Sequence, residues 1–439
     1  MKLLQLDIQP VGMLVIIIFV ITYLAISSEK VNRTAMSMTG MAFAGFALWI
    51  AHAIDPSQGT DFTDLISHIE WHTILFVTAM MVIVSVAGAS GMFQYLALTL
   101  ARPSGGDTKH LFLVLLTFVW AVSLFFDTTS TILIMAPLTI EICRALEIDF
   151  KPFLISESIV ANFGSIPSVV GAVPNLVIAS KTGLDAGLMF LVLMPLSAIL
   201  FIITVVYLLA LFEPKFVRCS QDLVDDIFDI NPQSMIKSRR DFYASIIAII
   251  VLIFGFTAGS SVGIEPVMVA ITIAFAMLLM NHERVNVFLA RIGWGTIFFL
   301  IGIFGLVTAL EITGVIDAFG DGVSALVGGS MEGATVLLTW LPAALSAIVD
   351  NIPVSVVLAP VALEFASSSP VFTFALITAV NIGGYLLPMG APANLMAIGL
   401  AEEAKNPISF VEFAKVASLL AMLHLLVATG WFLLVLVFL

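Results

Sequence analysis

Long uncharged runs separated by short polar stretches make up most of the chain. They predict helical segments over 11–27, 34–53, 71–100, 110–126, 130–147, 152–180, 186–213, 241–258, 264–281, 294–313, 319–328, 334–349, 353–366, 371–401 and 410–439. The runs are continuous rather than alternating, which excludes a β-barrel. The 319–328 piece is short and Gly-rich and reads as a connecting helix. No small-residue cleavage site follows Val11–Ile26, so that run reads as a retained membrane helix rather than a signal peptide. The loop 214–240 is the one long polar stretch, and it divides the chain into halves.

Several segments are too short or are interrupted. Only Asp127-Thr128-Thr129 joins 110–126 to 130–147, and only Asp350-Asn351-Ile352 joins 334–349 to 353–366. A span needs about 20 residues. These pairs therefore read as re-entrant hairpins with their tips inside the membrane, where irregular backbone survives only if buried in protein or lining a cavity. The following segments carry breakers. Gly164, Pro167, Gly171 and Pro174 interrupt 152–180, and Gly383, Gly384, Pro388, Gly390 and Pro392 interrupt 371–401. Both spans should unwind near their middles.

The halves repeat. Trp71 to Asp127 is 56 residues, as is Trp294 to Asp350, an offset of 223. Beyond the tips the offset becomes 219: Asn162, Gly171 and Asn175 match Asn381, Gly390 and Asn394. If the loops 28–33, 101–109, 144–151, 214–240, 282–293 and 402–415 are cytoplasmic, 15 of the 17 Lys and Arg lie inside. Lys2, Lys181 and the N-terminus then lie outside, and equivalent segments run in opposite directions. The fold class that follows is an all-α polytopic membrane protein. It is an inverted-topology repeat with two re-entrant hairpins and two broken transmembrane helices. Its parts are N-terminal scaffold helices (1–70), a first repeat (71–213), the cytoplasmic loop (214–240), a second scaffold pair (241–293) and a second repeat (294–439).

Composition agrees: 60% of the 439 residues are hydrophobic and 11% charged. A net charge of −13 argues against a nucleic-acid partner. Cys143 and Cys219 have neither metal nor redox spacing. With no phosphate loop, metal-ligand cluster or Ser/His/Asp arrangement, the chain does not read as an enzyme, and it needs no cofactor beyond a coupling H⁺ or Na⁺.

A carboxylate at membrane depth costs roughly 2.5–3.5 kcal/mol or more, so Asp127 and Asp350 stand out. The candidate substrate- and ion-binding set is Asp127, Thr128, Thr129 and Ser130 at the first tip, and Asp350, Asn351 and Ser355 at the second. The unwound spans add Asn162, Asn175, Asn381 and Asn394. A desolvated carboxylate can take up and release a proton, whereas a nearby Na⁺ would hold it ionised. Each aspartate could instead cap the helix after its tip, and the two roles are compatible. Glu157 could join the ion path or sit near the interface; its counterpart is Leu376. Glu311, opposite Gly88, reads as a snorkelling acid, and Trp71 and Trp294 as interface anchors.

Two stretches carry a resemblance. Leu124 through Asp127-Thr128-Thr129-Ser130 to Pro137, with Ala161-Asn162-Phe163-Gly164 and Pro174-Asn175, resembles the first signature of the ion transporter superfamily. Leu345 through Asp350-Asn351-Ile352-Pro353 to Pro360, with Asn381-Ile382-Gly383-Gly384 and Gly390-Ala391-Pro392-Ala393-Asn394, resembles the second. The likeness is to arsenite-efflux permeases and to P-protein-like and citrate-transporter-type permeases. Thr128 stands where an Asn is usual, and Gly171-Ala172-Val173-Pro174-Asn175 lacks a usual acid. The resemblance implies a gradient-driven secondary active transporter in the cytoplasmic membrane. It also implies a homodimer built through the scaffold, with arsenite permeases able to work with a soluble ATPase. The expected cargo is a small inorganic solute, arsenite or antimonite first. Na⁺/H⁺ antiport and organic-anion transport are alternatives, and a channel-like membrane protein is a different class.

Overall fold

A computed structural model describes residues 9–27, 31–216, 218–219, 231–258, 265–327, 330–366 and 369–438. Lys2 and the middle of loop 214–240 lie outside the described residues. Twenty α-helices are described and no strand, and they fall into two sets of ten. The first set is α1 (Pro10–Ser27), α2 (Arg33–Ile54), α3 (Phe62–Ser67), α4 (Trp71–Ser90), α5 (Met92–Ala101), α6 (Thr108–Val122), α7 (Thr128–Ala145), α8 (Lys151–Gly164), α9 (Val173–Thr182) and α10 (Ala186–Phe212). The second is α11 (Arg239–Ala258), α12 (Pro266–Met280), α13 (Val285–Leu289), α14 (Trp294–Ile312), α15 (Val315–Val327), α16 (Met331–Ile348), α17 (Asn351–Ala366), α18 (Val371–Leu386), α19 (Pro392–Glu403) and α20 (Phe410–Val435). Each helix in the first set has its equivalent ten places on. The repeat thus takes in the scaffold helices as well as the segments aligned from sequence.

The protein is an integral membrane protein, and among the described residues six helices are long and apolar enough to cross a membrane. One of these, Met331–Ile348, is the first arm of the second hairpin and turns back at Val349-Asp350. In α6 and α7 the arms have 15 and 18 residues, about 22 and 27 Å, short of a hydrocarbon core of about 30 Å. The first turn lies earlier than the sequence suggests. It spans 123–127, and Thr128 already opens α7. Likewise Asn351 opens α17, which places Pro353 in the first turn, where its missing donor costs little.

The predicted 71–100 segment is two helices. Gly91 has φ +85°, and a Cβ there would lie 1.9 Å from the Met235 carbonyl oxygen. Two short helices, α3 and α13, were not expected. Each precedes a tryptophan whose indole N–H donates five residues back, Trp71 to Ile66 O at 3.0 Å and Trp294 to Leu289 O at 3.1 Å. The match shows the repeat at the level of single bonds. Its inversion is visible where α4 meets α14. The Thr308 hydroxyl near the end of α14 reaches the His68 carbonyl just before α4, at 3.5 Å. The end of α4 and the start of α14 in turn share a cavity wall through Gly88 and Gly293. The two helices are antiparallel.

Candidate functional site

The two broken spans, α8–α9 and α18–α19, are tied to each other by their asparagines. Asn175 Nδ2 donates to the Ser165 and Ser168 carbonyls, both at 2.9 Å, filling the break after α8. Asn394 Nδ2 does the same for Gly384 (2.7 Å) and Leu387 (3.4 Å). Across the pseudo-two-fold, Asn381 Nδ2 donates to Asn175 Oδ1 at 2.6 Å, and Asn162 Nδ2 to Asn394 Oδ1 at 3.2 Å. The latter two amides also donate back to their own helices, Asn162 to Ser158 O and Asn381 to Ile377 O. All four side chains are fully buried. Gly171 and Gly390 permit this closeness, since a Cβ would meet the hairpin carbonyls of Ser123 at 2.5 Å and Ser346 at 2.6 Å.

The symmetry fails in two places. Ser165 Oγ donates to Asn381 Oδ1 at 3.2 Å, but the residue opposite Asn162 is Gly384, and Asn162 Oδ1 has no protein partner. A Cβ on Gly384 would lie 3.3 Å from both Asn162 Oδ1 and Asn351 Nδ2. Conversely, Ser158 Oγ donates to Asn394 Oδ1 at 2.6 Å, where the other half has Ile377.

Both tip aspartates are helix N-caps. Asp127 Oδ1 accepts from the backbone N–H of Thr129 and of Ser130, each at 3.1 Å, and Oδ2 accepts from the Ser130 hydroxyl. Asp350 Oδ1 accepts from Ile352 N at 3.0 Å, while Oδ2 pairs with Arg33 Nη1 at 3.2 Å. Arg33, at the start of α2, also stacks over Phe299 of α14. Ser355 turns back to Ile352 O, and Thr128 and Asn351 are buried. Glu157 is fully buried in α8. Its Oε1 accepts from Thr139 Oγ1 at 2.6 Å, and its Oε2 has no protein partner.

Two adjoining cavities of about 630 and 510 Å³ meet at Arg33, Thr129, Pro392 and Met396. Asp127, Ser130 and Arg291 line the larger, and Asp350 the smaller. The candidate set thus divides: Asp127, Thr129, Ser130 and Asp350 face the cavities, whereas Thr128, Asn351, Ser355, Glu157 and the four asparagines lie outside their walls. Four helices begin at these walls, through Thr129, Val173, Ile352 and Pro392. At α9 and α19 no side chain caps the N-terminus. Arg33 and Arg291 share the larger wall with Asp127 and Glu141, and Asp350 and Glu403 line the smaller, so cationic groups that could hold an anion stand beside carboxylates. Arg33 and Arg291 lie in short basic loops, which in sequence signal only orientation.

The repeat equivalent of the larger cavity is much narrower. A crevice of about 20 Å³ at the other end of α14 is lined by Glu70, Val177, Phe304, Thr308, Glu311 and Val356. Their equivalents by the two offsets are Gly293, Met396, Met81, Ser85, Gly88 and Leu133, and all six line the 630 Å³ cavity. One crevice is the collapsed copy of the other.

The profile of the citrate transporter family matches residues 23–373. The chain belongs to the citrate transporter family. Its relatives include a 46 kDa membrane protein of Mycobacterium leprae, 29% identical and covering 92% of this chain and 94% of that one. An uncharacterized transporter of Mycobacterium tuberculosis is 30% identical, covering 91% and 92%. The human P protein is 26% identical, covering 93% of this chain and 59% of its own length. Among solved structures, the Alcanivorax borkumensis YdaH transporter, described as having an unusual topology, matches with a TM-score of 0.63. It covers 92% of this chain and 98% of that one at 14% identity, a likeness of fold. This citrate transporter family member is a membrane transporter and not an enzyme.

Proposed function

We propose that the protein is a gradient-driven secondary transporter of a small organic anion of the di- or tricarboxylate type. The observation that carries this reading is the cavity wall, where Arg33, Arg291 and the uncapped starts of α9 and α19 converge on one space. A volume of about 630 Å³ suits a multi-atom solute. The family's citrate transporter description points the same way. Asp127 and Asp350, both engaged as caps, position the tips; Glu157, with one oxygen unengaged, is the proposed site of the coupling proton.

Binding is tested by thermal unfolding of the purified protein with citrate, succinate and arsenite. A ligand at one hundred times its Kd stabilises the folded state by about 2.7 kcal/mol. A rise in Tm with a carboxylate, lost in Arg33→Gln, is expected. A rise with arsenite alone would overturn the reading.

A further inference from the structure

The narrow crevice holds a cluster of charges at positions whose equivalents in the wide one are uncharged. Lys181 Nζ lies 2.7 Å from Glu311 Oε1 and 4.0 Å from Glu70 Oε1. Ser180 Oγ adds a bond to Glu70 Oε2 at 3.5 Å. The three charged side chains are only 26–27% exposed. They come from different parts: Lys181 from the second half of a broken span, Glu70 and Glu311 from the facing ends of α4 and α14. The equivalent positions are Leu400, Gly293 and Gly88, all on the walls of the open cavities. At Gly88 an added Cβ would meet nothing within 4 Å.

We infer that Lys181, Glu311 and Glu70 form an ionic gate that shuts the second access path, with no counterpart on the first. When α9 moves away from α14 to open this crevice, the pair must part. When the opposite crevice closes, Gly88, Gly293 and Leu400 meet with no equivalent of this pair. The two access states are therefore unequal, and the one seen here is the favoured resting state. Glu311, expected to snorkel, instead has a partner on the element that moves. The inference rests on alternating access between two crevices and not on which solute is carried.

The test uses full-length protein in proteoliposomes, without added solute, in a background of Cys143→Ala and Cys219→Ser. Single cysteines replace Val356, in the closed crevice, or its equivalent Leu133, in the open one. Their labelling rates by a membrane-impermeant maleimide are measured from the face each crevice meets. Lys181→Ala or Glu311→Gln should raise labelling at 356 roughly three- to tenfold and lower it at 133, the shift expected for loss of one partly buried pair. The exchanged pair Lys181→Glu with Glu311→Lys should restore the parent pattern. Building the missing pair, Gly88→Glu with Leu400→Lys, should lower labelling at 133. Unchanged labelling at 356 in both single variants overturns the gate. So does a rise at 133 and 356 together, which would report general loosening, or failure of the exchanged pair to restore the pattern.

Discussion

The asparagine cross-links make a prediction that depends on their imperfect symmetry. Asn162→Ala and Asn381→Ala remove equivalent side chains from equivalent, fully buried sites, so the transfer and cavity terms nearly cancel between them. The hydrogen bonds do not cancel. Without Asn381, Asn175 Oδ1 loses its 2.6 Å donor, and no other described donor reaches it. Without Asn162, Asn394 Oδ1 keeps its 2.6 Å bond from Ser158 Oγ, and the unpartnered Asn162 Oδ1 disappears. A buried acceptor left unsatisfied costs about 1–3 kcal/mol. Asn381→Ala should therefore be the more destabilising by roughly that amount. In a chain of 439 residues that is an apparent Tm difference of roughly 1–3 °C. The assay is thermal unfolding of the two variants and the parent in one detergent at one scan rate. Adding Ser158→Ala to Asn162→Ala should close the gap, because Asn394 Oδ1 then also loses its last donor. Equal Tm values for the single variants, or a lower value for Asn162→Ala, would refute the hydrogen-bond assignment.

Other expectations follow from the same geometry. Gly390→Ala forces a Cβ to within 2.6 Å of the Ser346 carbonyl and should sharply reduce folded yield, whereas Gly88→Ala, into open space, should leave yield unchanged; size-exclusion profiles compare the two. Glu157→Gln should keep ligand-induced stabilisation yet lose dependence of transport on an imposed pH gradient. Persistence of that dependence would remove Glu157 from the coupling path. Arg33→Gln frees Asp350 from its ion pair and takes a charge from both cavities, so KM for a carboxylate should rise about tenfold or more, in keeping with a charged hydrogen bond of about 1.5–3 kcal/mol.

Much of the architecture was legible because breakers and charges are conspicuous in apolar sequence. Asp127 and Asp350 announced the hairpin tips, and the paired Gly, Pro and Asn positions announced the broken spans. The opposite directions of the halves show in the antiparallel α4 and α14. What the sequence concealed was the partner of each group. Four asparagines were visible, but their cross-pairing depends on two breaks folding against each other 219 residues apart. The aspartates' capping bonds depend on where α7 and α17 begin, each two residues before the expected start. The helix break at Gly91 was hidden, because the run continues on both sides of it. His424 passed unremarked within another, although its ring joins Tyr385 OH at 2.5 Å and Thr204 Oγ1 at 3.2 Å and so fastens α18 to α10 and α20. Such contacts depend on helix rotation, which is poorly encoded where every face is apolar.

The most direct test of the account is flux. Proteoliposomes containing the parent protein, Arg33→Gln or Glu157→Gln would be given radiolabelled citrate, succinate or arsenite under imposed pH and Na⁺ gradients. The account predicts saturable, pH-gradient-dependent carboxylate flux in the parent, weakened apparent affinity in Arg33→Gln and uncoupled movement in Glu157→Gln. Arsenite flux without carboxylate flux, or carboxylate flux indifferent to Arg33, would contradict it.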